Sequence, residues 1–571
     1  MRPLTQRIWR WTTIALLCTN TSAFLTSRQS SPDTSFSWSS ITPSPTIQYH
    51  PCYTTFLCAR LLVPLDWTNP NKSSSSTAAA IAILTLPATV PPSDPTFGGT
   101  ITLNPGGPGV SGVTTLLGLA SAFRSAVDTP NRHFELLSFD PRGVGFSTPG
   151  ADCYAGDPFR RAADVLQHAQ AVAPLAGRMA ELGVRVRFAA AEGLGKVCAD
   201  DGDEEGSILR HMSTADVARD MLEIVERFDE LRFGEKMGKK AMLQYWGFSY
   251  GTVLGQVFAL LFPDRVGKMV LDGVGDLPDL LTGTWKTSTA DAEKAVDVFY
   301  RTCLDAGSKC PLRKDTDTSV GDIRGRVTSL LTALEQSPVP ATYGGRIQLV
   351  TSYLVRDAIR NTLYDPLNQF GPLASILAGA VAGNYTLLLA AQAVANTTAC
   401  AAPDTGDPPA AYTWIADASV AIFCSDTAVA GSRTLAWSEE VARFHANQSA
   451  STGEAWARFL LSCSGWPFTP AYHIPQPTYT KWLGAAPLLL VSTRYDPATP
   501  LGNAYALARR YPESAAVVVQ ESAGHTAFIS SPSRCVGAIL GEYFSSGKVP
   551  DGGAVCEPDC VASIPAVACS R

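Results

Sequence analysis

The stretch Leu243-Gln244-Tyr245-Trp246-Gly247-Phe248-Ser249-Tyr250-Gly251-Thr252 runs an apolar, strand-like segment into a Gly-x-Ser-x-Gly turn. Directly behind it, Val253-Leu254-Gly255-Gln256-Val257-Phe258-Ala259-Leu260-Leu261 has helical spacing, so the order is strand, tight turn, helix. Such a turn lifts a serine hydroxyl above a sheet in a strained backbone conformation, and only small residues two positions either side let strand and helix approach that closely. Gly247 and Gly251 meet this need. The helix aims its first amides, starting with that of Tyr250, at the place where an oxyanion would form. A glycine-rich chain can produce the pentapeptide by chance; the strand before it and the helix after it favour Ser249 as a nucleophile.

A serine hydroxyl needs a histidine to take its proton, and the histidine needs a carboxylate to fix its tautomer. Of seven histidines, His525 stands in Glu521-Ser522-Ala523-Gly524-His525-Thr526-Ala527-Phe528, six residues after the last apolar strand, where a loop can carry it over the sheet's edge. A surface loop histidine is the bland alternative, but in this type of site the base comes last in the chain. Asp496 follows the strand Pro487 to Ser492 in a proline-stiffened loop, Thr493-Arg494-Tyr495-Asp496-Pro497-Ala498-Thr499-Pro500. It could equally be a turn or N-cap aspartate, and Asp272 competes for its role because it too ends a strand after the nucleophile. The order Ser249, Asp496, His525 favours Asp496. Earlier, the strand ending at Asn104 opens into Pro105-Gly106-Gly107-Pro108-Gly109-Val110-Ser111-Gly112, whose bare backbone can turn amides toward a ligand. A phosphate loop would end in Gly-Lys-Ser/Thr, which is missing, and a plain glycine-rich turn is the bland alternative; the position after an early strand favours a second oxyanion donor, Gly107. Asp140 and Arg142, bracketing Pro141 at a strand end, are expected to fix a turn.

Strands alternate with helices from Ala59 to Leu271, which predicts an α/β fold: a mostly parallel sheet with helices on both faces. Thr214 to Phe233, with Ser213 or Thr214 as cap, is expected to be the helix leading into the elbow strand. Residues 51–275 form the first part of the core, 276–470 a helical lid over the sheet's carboxyl edge, and 471–571 the second part, which brings in the acid and the base. Residues 24–50, rich in Ser, Thr and Pro, read as a flexible lead-in. Residues 1–23 read as a signal peptide: Arg2, Arg7 and Arg10 precede a short apolar segment, and Thr21-Ser22-Ala23 offers small residues for cleavage. That segment is too short to span a bilayer, so no stable membrane insertion is expected after cleavage.

A formal charge of −6 with no basic cluster argues against nucleic acid and leaves a peptide or small molecule as substrate. With 14 cysteines, Cys52 with Cys58, Cys303 with Cys310, and Cys560 with Cys569 are close enough to act as local staples in an oxidising compartment. No cysteine joins histidines in a ligand pattern, so neither a metal nor another cofactor is expected. Asn71-Lys-Ser, Asn384-Tyr-Thr, Asn396-Thr-Thr and Asn447-Gln-Ser are glycan acceptor sequences if the chain is exported.

Taken together, Asn104-Pro-Gly-Gly-Pro-Gly, Asp140-Pro-Arg-Gly-Val-Gly, Gly247-Phe-Ser-Tyr-Gly-Thr, Leu271-Asp-Gly-Val, Cys463-Ser-Gly-Trp-Pro, Arg494-Tyr-Asp-Pro-Ala-Thr-Pro and Gly524-His525 resemble secreted α/β-hydrolase fold peptidases of the prolyl iminopeptidase and tripeptidyl aminopeptidase group. The resemblance runs from about Cys52 to Cys535 and includes the C-terminal segment characteristic of that group. It implies hydrolysis of a peptide bond near a free amino terminus through an acyl-enzyme, with Ser249 attacking, His525 moving the proton, Asp496 orienting it, and the amides of Tyr250 and Gly107 holding the oxyanion. Such proteins need acidic groups for the substrate ammonium, and Asp276 and Asp279 at the start of the lid are the candidates, with solvated loop carboxylates as the ordinary alternative. The same residues would serve an esterase, lactonase or acyltransferase acting on a small metabolite. A binding protein on a dead hydrolase scaffold is the rival of another class.

Overall fold

The computed structural model describes residues 36–566 apart from 71–77, 155, 158, 162, 165–174, 176–179, 203–205, 235–239, 397–414, 428–432, 476 and 478–480. The expected signal peptide, Asn71 and Cys569 therefore lie outside the described residues. A ten-stranded sheet is built from β1 (His50–Cys52), β2 (Phe56–Pro64), β3 (Ala78–Leu86), β4 (Phe97–Asn104), β5 (His133–Phe139), β6 (Leu243–Phe248), β7 (Val266–Asp272), β10 (Leu488–Tyr495), β11 (Ala515–Ala523) and β12 (Ala554–Cys556). Its order is β1-β2-β3-β5-β4-β6-β7-β10-β11-β12, antiparallel up to the β3–β5 pair and parallel from β5 to the far edge. The parallel strands are apolar on both sides because helices cover both faces. In β6, Tyr245 enters one core and Trp246 and Phe248 the other. Trp246 and Phe248 pack with Phe123 and Phe528, ring centroids 4.8–6.4 Å apart.

The covering helices of the first part are α1 (Gly112–Val127), α2 (Ala180–Gly202), α3 (Thr214–Phe233) and α4 (Tyr250–Leu261). Helix α3 has the expected span and starts on Ser213, whose hydroxyl accepts from the Asp216 amide. Between Asp272 and Leu488 the chain forms α5 (Leu277–Leu281), α6 (Ala292–Asp305), α7 (Val320–Gln336), α8 (Ser352–Thr362), α9 (Pro366–Val381), α10 (Thr386–Asn396), α11 (Ile415–Asp426), α12 (Leu435–Gln448) and α13 (Gly453–Leu461). Helices α6 to α10 close around an apolar cluster of their own that includes Phe299, Ile323, Val355 and Phe370. This stretch is not all helical: β8 (Val339–Tyr343) and β9 (Arg346–Val350) form an antiparallel hairpin between α7 and α8. The second part of the core adds α14 (Leu501–Arg510), α15 (Ala527–Ser530) and α16 (Arg534–Ser546).

Residues 36–50 correct the expectation of a flexible lead-in. Trp38 is only 2% exposed and stacks on Phe146 at 5.4 Å, Ile41 and Ile47 are buried, and the Leu62 amide donates to the Ser44 carbonyl, so this segment is packed against the sheet's edge. Disulfides join Cys52 to Cys58 and Cys303 to Cys310 as expected, and also Cys153 to Cys198, Cys424 to Cys463 and Cys535 to Cys556. Cys560 is disulfide-bonded as well. Asn384, in the α9–α10 turn, and Asn447, on α12, are exposed, while Asn396 ends α10.

Candidate active site

Strand register brings the site together. Asn104 of β4 lies opposite Gly247 of β6, Phe248 opposite Asp272 of β7, Asp272 opposite Val491 of β10, and Tyr495 opposite Ala523 of β11. The loops that leave these carboxyl ends carry Gly106 to Gly109, Ser249, Asp496 and His525, so residues far apart in sequence meet over one edge. At the elbow Ser249 has φ 55° and ψ −125°, with its amide donating to the Asp272 carbonyl at 3.0 Å. A β-carbon on Gly251 would sit 2.6 Å from the Asn104 carbonyl oxygen, and one on Gly247 2.5 Å from the Gly251 carbonyl oxygen, so both glycines are demanded by contact.

His525 bridges the other two residues. Its Nε2 is 2.7 Å from Ser249 Oγ, and its Nδ1 is 2.9 and 3.2 Å from the two carboxylate oxygens of Asp496. Asp496 is fully buried and also accepts from the amides of Ala498 (2.9 Å), Thr499 (2.8 Å) and Thr526 (2.9 Å). Burial by itself would raise the Asp496 pKa; the charge of His525, its hydrogen bond and the amides of Thr499 and Thr526 outweigh burial and hold it below the ordinary carboxylate range. An ionised Asp496 requires Nδ1 to carry the proton, which leaves the Nε2 lone pair facing the Ser249 hydroxyl. The arrangement can therefore deprotonate Ser249 as it attacks.

Asp272 lies beside this group and does a different job. Its carboxylate accepts from the amides of Ala527 (2.6 Å) and Phe528 (3.0 Å), anchoring the short helix that follows His525, and burial pushes its pKa up to about 7. The Gly106 amide donates to Asn104 Oδ1 at 3.0 Å, and a β-carbon on Gly106 would lie 2.8 Å from the Tyr250 amide nitrogen. The glycine loop thus lies directly against the turn that carries Tyr250. No hydrogen bond among the described residues takes up the amide of Gly107 or of Tyr250.

Asp276 and Asp279, the candidates for a substrate ammonium, both have partners within the protein. Asp276 pairs with Arg510 at 3.3 Å, and Asp279 accepts from the amides of Lys286 (3.0 Å) and Thr287 (2.7 Å), so both stabilise the entry into the insertion. Asp140 and Arg142 fix turns, as expected: Asp140 accepts from Ser111 Oγ and the amides of Val113 and Phe146, and Arg142 grips Asp220 and the carbonyls of Pro64 and Leu65. Tyr364, between α8 and α9, was not foreseen. Its ring stands 4.6 Å from that of His525, and its carbonyl accepts the His525 amide at 3.3 Å. No local pattern marks it, because the contact joins segments 161 positions apart, as the numbering shows. Thr499 also joins the site, and the Asp-Pro-Ala-Thr spacing, which lets an aspartate accept from an amide three residues on, is its signal in the sequence. Among the described residues no cluster of three or more His, Cys, Asp or Glu could hold a metal ion.

The sequence profile described as alpha/beta hydrolase fold matches residues 99–300, and that of the TAP-like protein matches residues 448–556. Over 519 residues the chain is 31% identical to a Mycobacterium tuberculosis protein named Carboxylesterase B, with 88% of this chain and 86% of that one covered. It belongs to the alpha/beta-hydrolase fold family. This alpha/beta hydrolase is also 28% identical over 513 residues to Serine protease Hip1 of M. tuberculosis, covering 88% and 87% of the two chains. To the Tripeptidyl aminopeptidase of Streptomyces lividans it is 27% identical over 468 residues, covering 81% and 77%. The two profile matches fall on the parts of the alpha/beta hydrolase that carry Ser249 on one side, and Asp496 and His525 on the other.

Proposed function

We propose that this chain is a secreted serine hydrolase, an aminopeptidase that releases short peptides or residues from free amino termini through an acyl-enzyme. The observation that carries this is His525 held between Ser249 Oγ at 2.7 Å and Asp496 at 2.9 Å. Ser249 Oγ attacks the scissile carbonyl while His525 Nε2 takes its proton, and Asp496 steadies the resulting imidazolium. The amides of Tyr250 and Gly107 receive the oxyanion. Collapse expels the amine, which takes the proton back from His525, and a water deprotonated by the same nitrogen then releases the acyl group. Relatives named as a serine protease and a tripeptidyl aminopeptidase support a peptide substrate. The disulfides support an oxidising destination.

Hydrolysis of a small ester is the second reading, favoured by the relative named Carboxylesterase B. A fluorophosphonate probe should label wild-type protein, and Ser249→Ala and His525→Ala should each abolish labelling; a folded wild type that stays unlabelled would leave a binding protein on a hydrolase scaffold. Turnover of aminoacyl and tripeptidyl anilides, lost when the substrate amine is acylated, supports the aminopeptidase. Turnover of aryl esters alone would overturn it in favour of the esterase.

A further inference from the structure

Helix α11 belongs to the insertion, yet it bonds the glycine loop directly and reaches Tyr250 through Thr214. At one end, Ser419 Oγ lies 2.6 Å from the Pro108 carbonyl oxygen, in the middle of the glycine loop, and 2.6 Å from the carbonyl of Ile415 in its own helix. Gly109 is pressed flat on the same turn: a β-carbon there would meet Ser419 Oγ at 2.7 Å and the Ile415 carbonyl oxygen at 3.1 Å. At the other end, Asp426 accepts the Thr214 amide at 2.6 Å and the Thr214 hydroxyl at 2.5 Å. Thr214 Oγ1 in turn meets the hydroxyl of Tyr250, the residue after the nucleophile.

The direction of that chain follows from its proton inventory. Burial raises the Tyr250 pKa well above its usual value, so the phenol keeps its proton and has to donate it to an acceptor. Thr214 Oγ1 can accept only if its own proton points elsewhere, and Asp426 is where it points. Helix α11 is itself pinned between these ends. Asp417 accepts from Arg161 Nη2 at 2.7 Å and from the Cys153 amide at 3.2 Å, and Cys424 is bonded to Cys463. Ala418, Ala421 and Ile422 are buried in the sheet's core cluster, and Phe423 and Cys424 in a separate cluster with Val184 of α2, Val441 of α12 and Leu460 of α13.

An oxyanion hole works because its donors are in place before charge develops, and a loop with three glycines in four positions does not hold itself still. We infer that α11 is a working part of the oxyanion hole, with Ser419 and Asp426 as positioning residues that fix the glycine loop and Tyr250 respectively. This rests on the reading of Ser249 as nucleophile. The insertion is then more than a cover for substrate: removing its hold on the two loops impairs the chemical step.

The test compares full-length wild type with Ser419→Ala, Asp426→Asn and Tyr250→Phe. It reads fluorophosphonate labelling, kcat and KM on whichever chromogenic anilide or ester the wild type turns over, the affinity of an aryl boronic acid, and the thermal midpoint. The expectation is a kcat lower by about ten-fold in each variant, a fraction of the roughly 10²–10³ that loss of a whole donor costs, with KM unchanged. Boronate affinity should weaken by a similar factor, because the boronate places an oxygen where the oxyanion sits. Should Asp426→Asn fail to fold, Ser419→Ala and Tyr250→Phe still decide the matter. Folded variants with wild-type kcat and boronate affinity, or with a raised KM alone, overturn the role of α11. A wild type that fluorophosphonate does not label overturns the nucleophile instead.

Discussion

Ser249 occupies a backbone region, φ 55° and ψ −125°, that side-chain-bearing residues avoid and that costs roughly 1–3 kcal/mol. The cost is maintained by the contacts of Gly247 and Gly251 and by the bond from the Ser249 amide to the Asp272 carbonyl. Ser249→Gly and Ser249→Ala should both be inactive but should differ in stability. Glycine relieves the strain and alanine does not, so Ser249→Gly is expected to be the more stable by about 1 kcal/mol in urea melts. Equal midpoints would mean that the turn carries no such strain. The three triad residues were legible because each sits in a short segment with its own chemical logic: a glycine-flanked serine, an aspartate in a proline-stiffened loop, a histidine just past the last apolar strand. Tyr364 and Asp426 were not, since each acts through a contact with a distant segment and looks locally like any helix-end residue.

Among the elements, the parallel strands could be read as apolar runs because burial on both faces removes the polar alternation. Short edge strands escaped for the opposite reason. β1 and β12 have three residues each, too few to show a period. The β8–β9 hairpin leaves Ile347 and Leu349 79% and 50% exposed, and only its alternation around Gly344-Gly345 could have announced it. Asp276 and Asp279 show why acidity at the insertion's entrance is a weak signal by itself: their oxygens serve Arg510 and the amides of Lys286 and Thr287. The disulfide between Cys424 and Cys463 closes a loop of 39 positions around α12 and α13 and ties α11 to the turn after α13. Replacing both cysteines by serine should lower the unfolding free energy by about 2–5 kcal/mol, measured by denaturant unfolding under non-reducing conditions. Stability within 1 kcal/mol of wild type, by the same measure, would count against a structural role for this bond.

Across the whole molecule, buried carboxylates set a pH dependence whose sign can be worked out. Burial raises Asp272 and Asp426 to about 7, against roughly 3.9 for an aspartate in an unfolded chain. Between those values the folded protein holds more protons than the unfolded one, so stability is lost as pH rises through the window and regained as it falls. Below about 6.5, His211 and His445 begin to charge in the unfolded chain and oppose the gain, because burial depresses their folded pKa values. The thermal midpoint is therefore expected to be higher at pH 6.5 than at pH 8, with a smaller difference in Asp426→Asn. A midpoint that falls on going from pH 8 to pH 6.5 would refute this assignment.

The sheet order places β6 next to β7, and β10 and β11 beyond them, while the base that faces Ser249 lies 276 positions later in the chain. A ribosome making this polypeptide thus completes the elbow and the glycine loop long before it supplies Asp496 and His525. Every shorter nascent chain carries a serine that nothing activates. The catalytic arrangement is complete only when the last parallel strands dock.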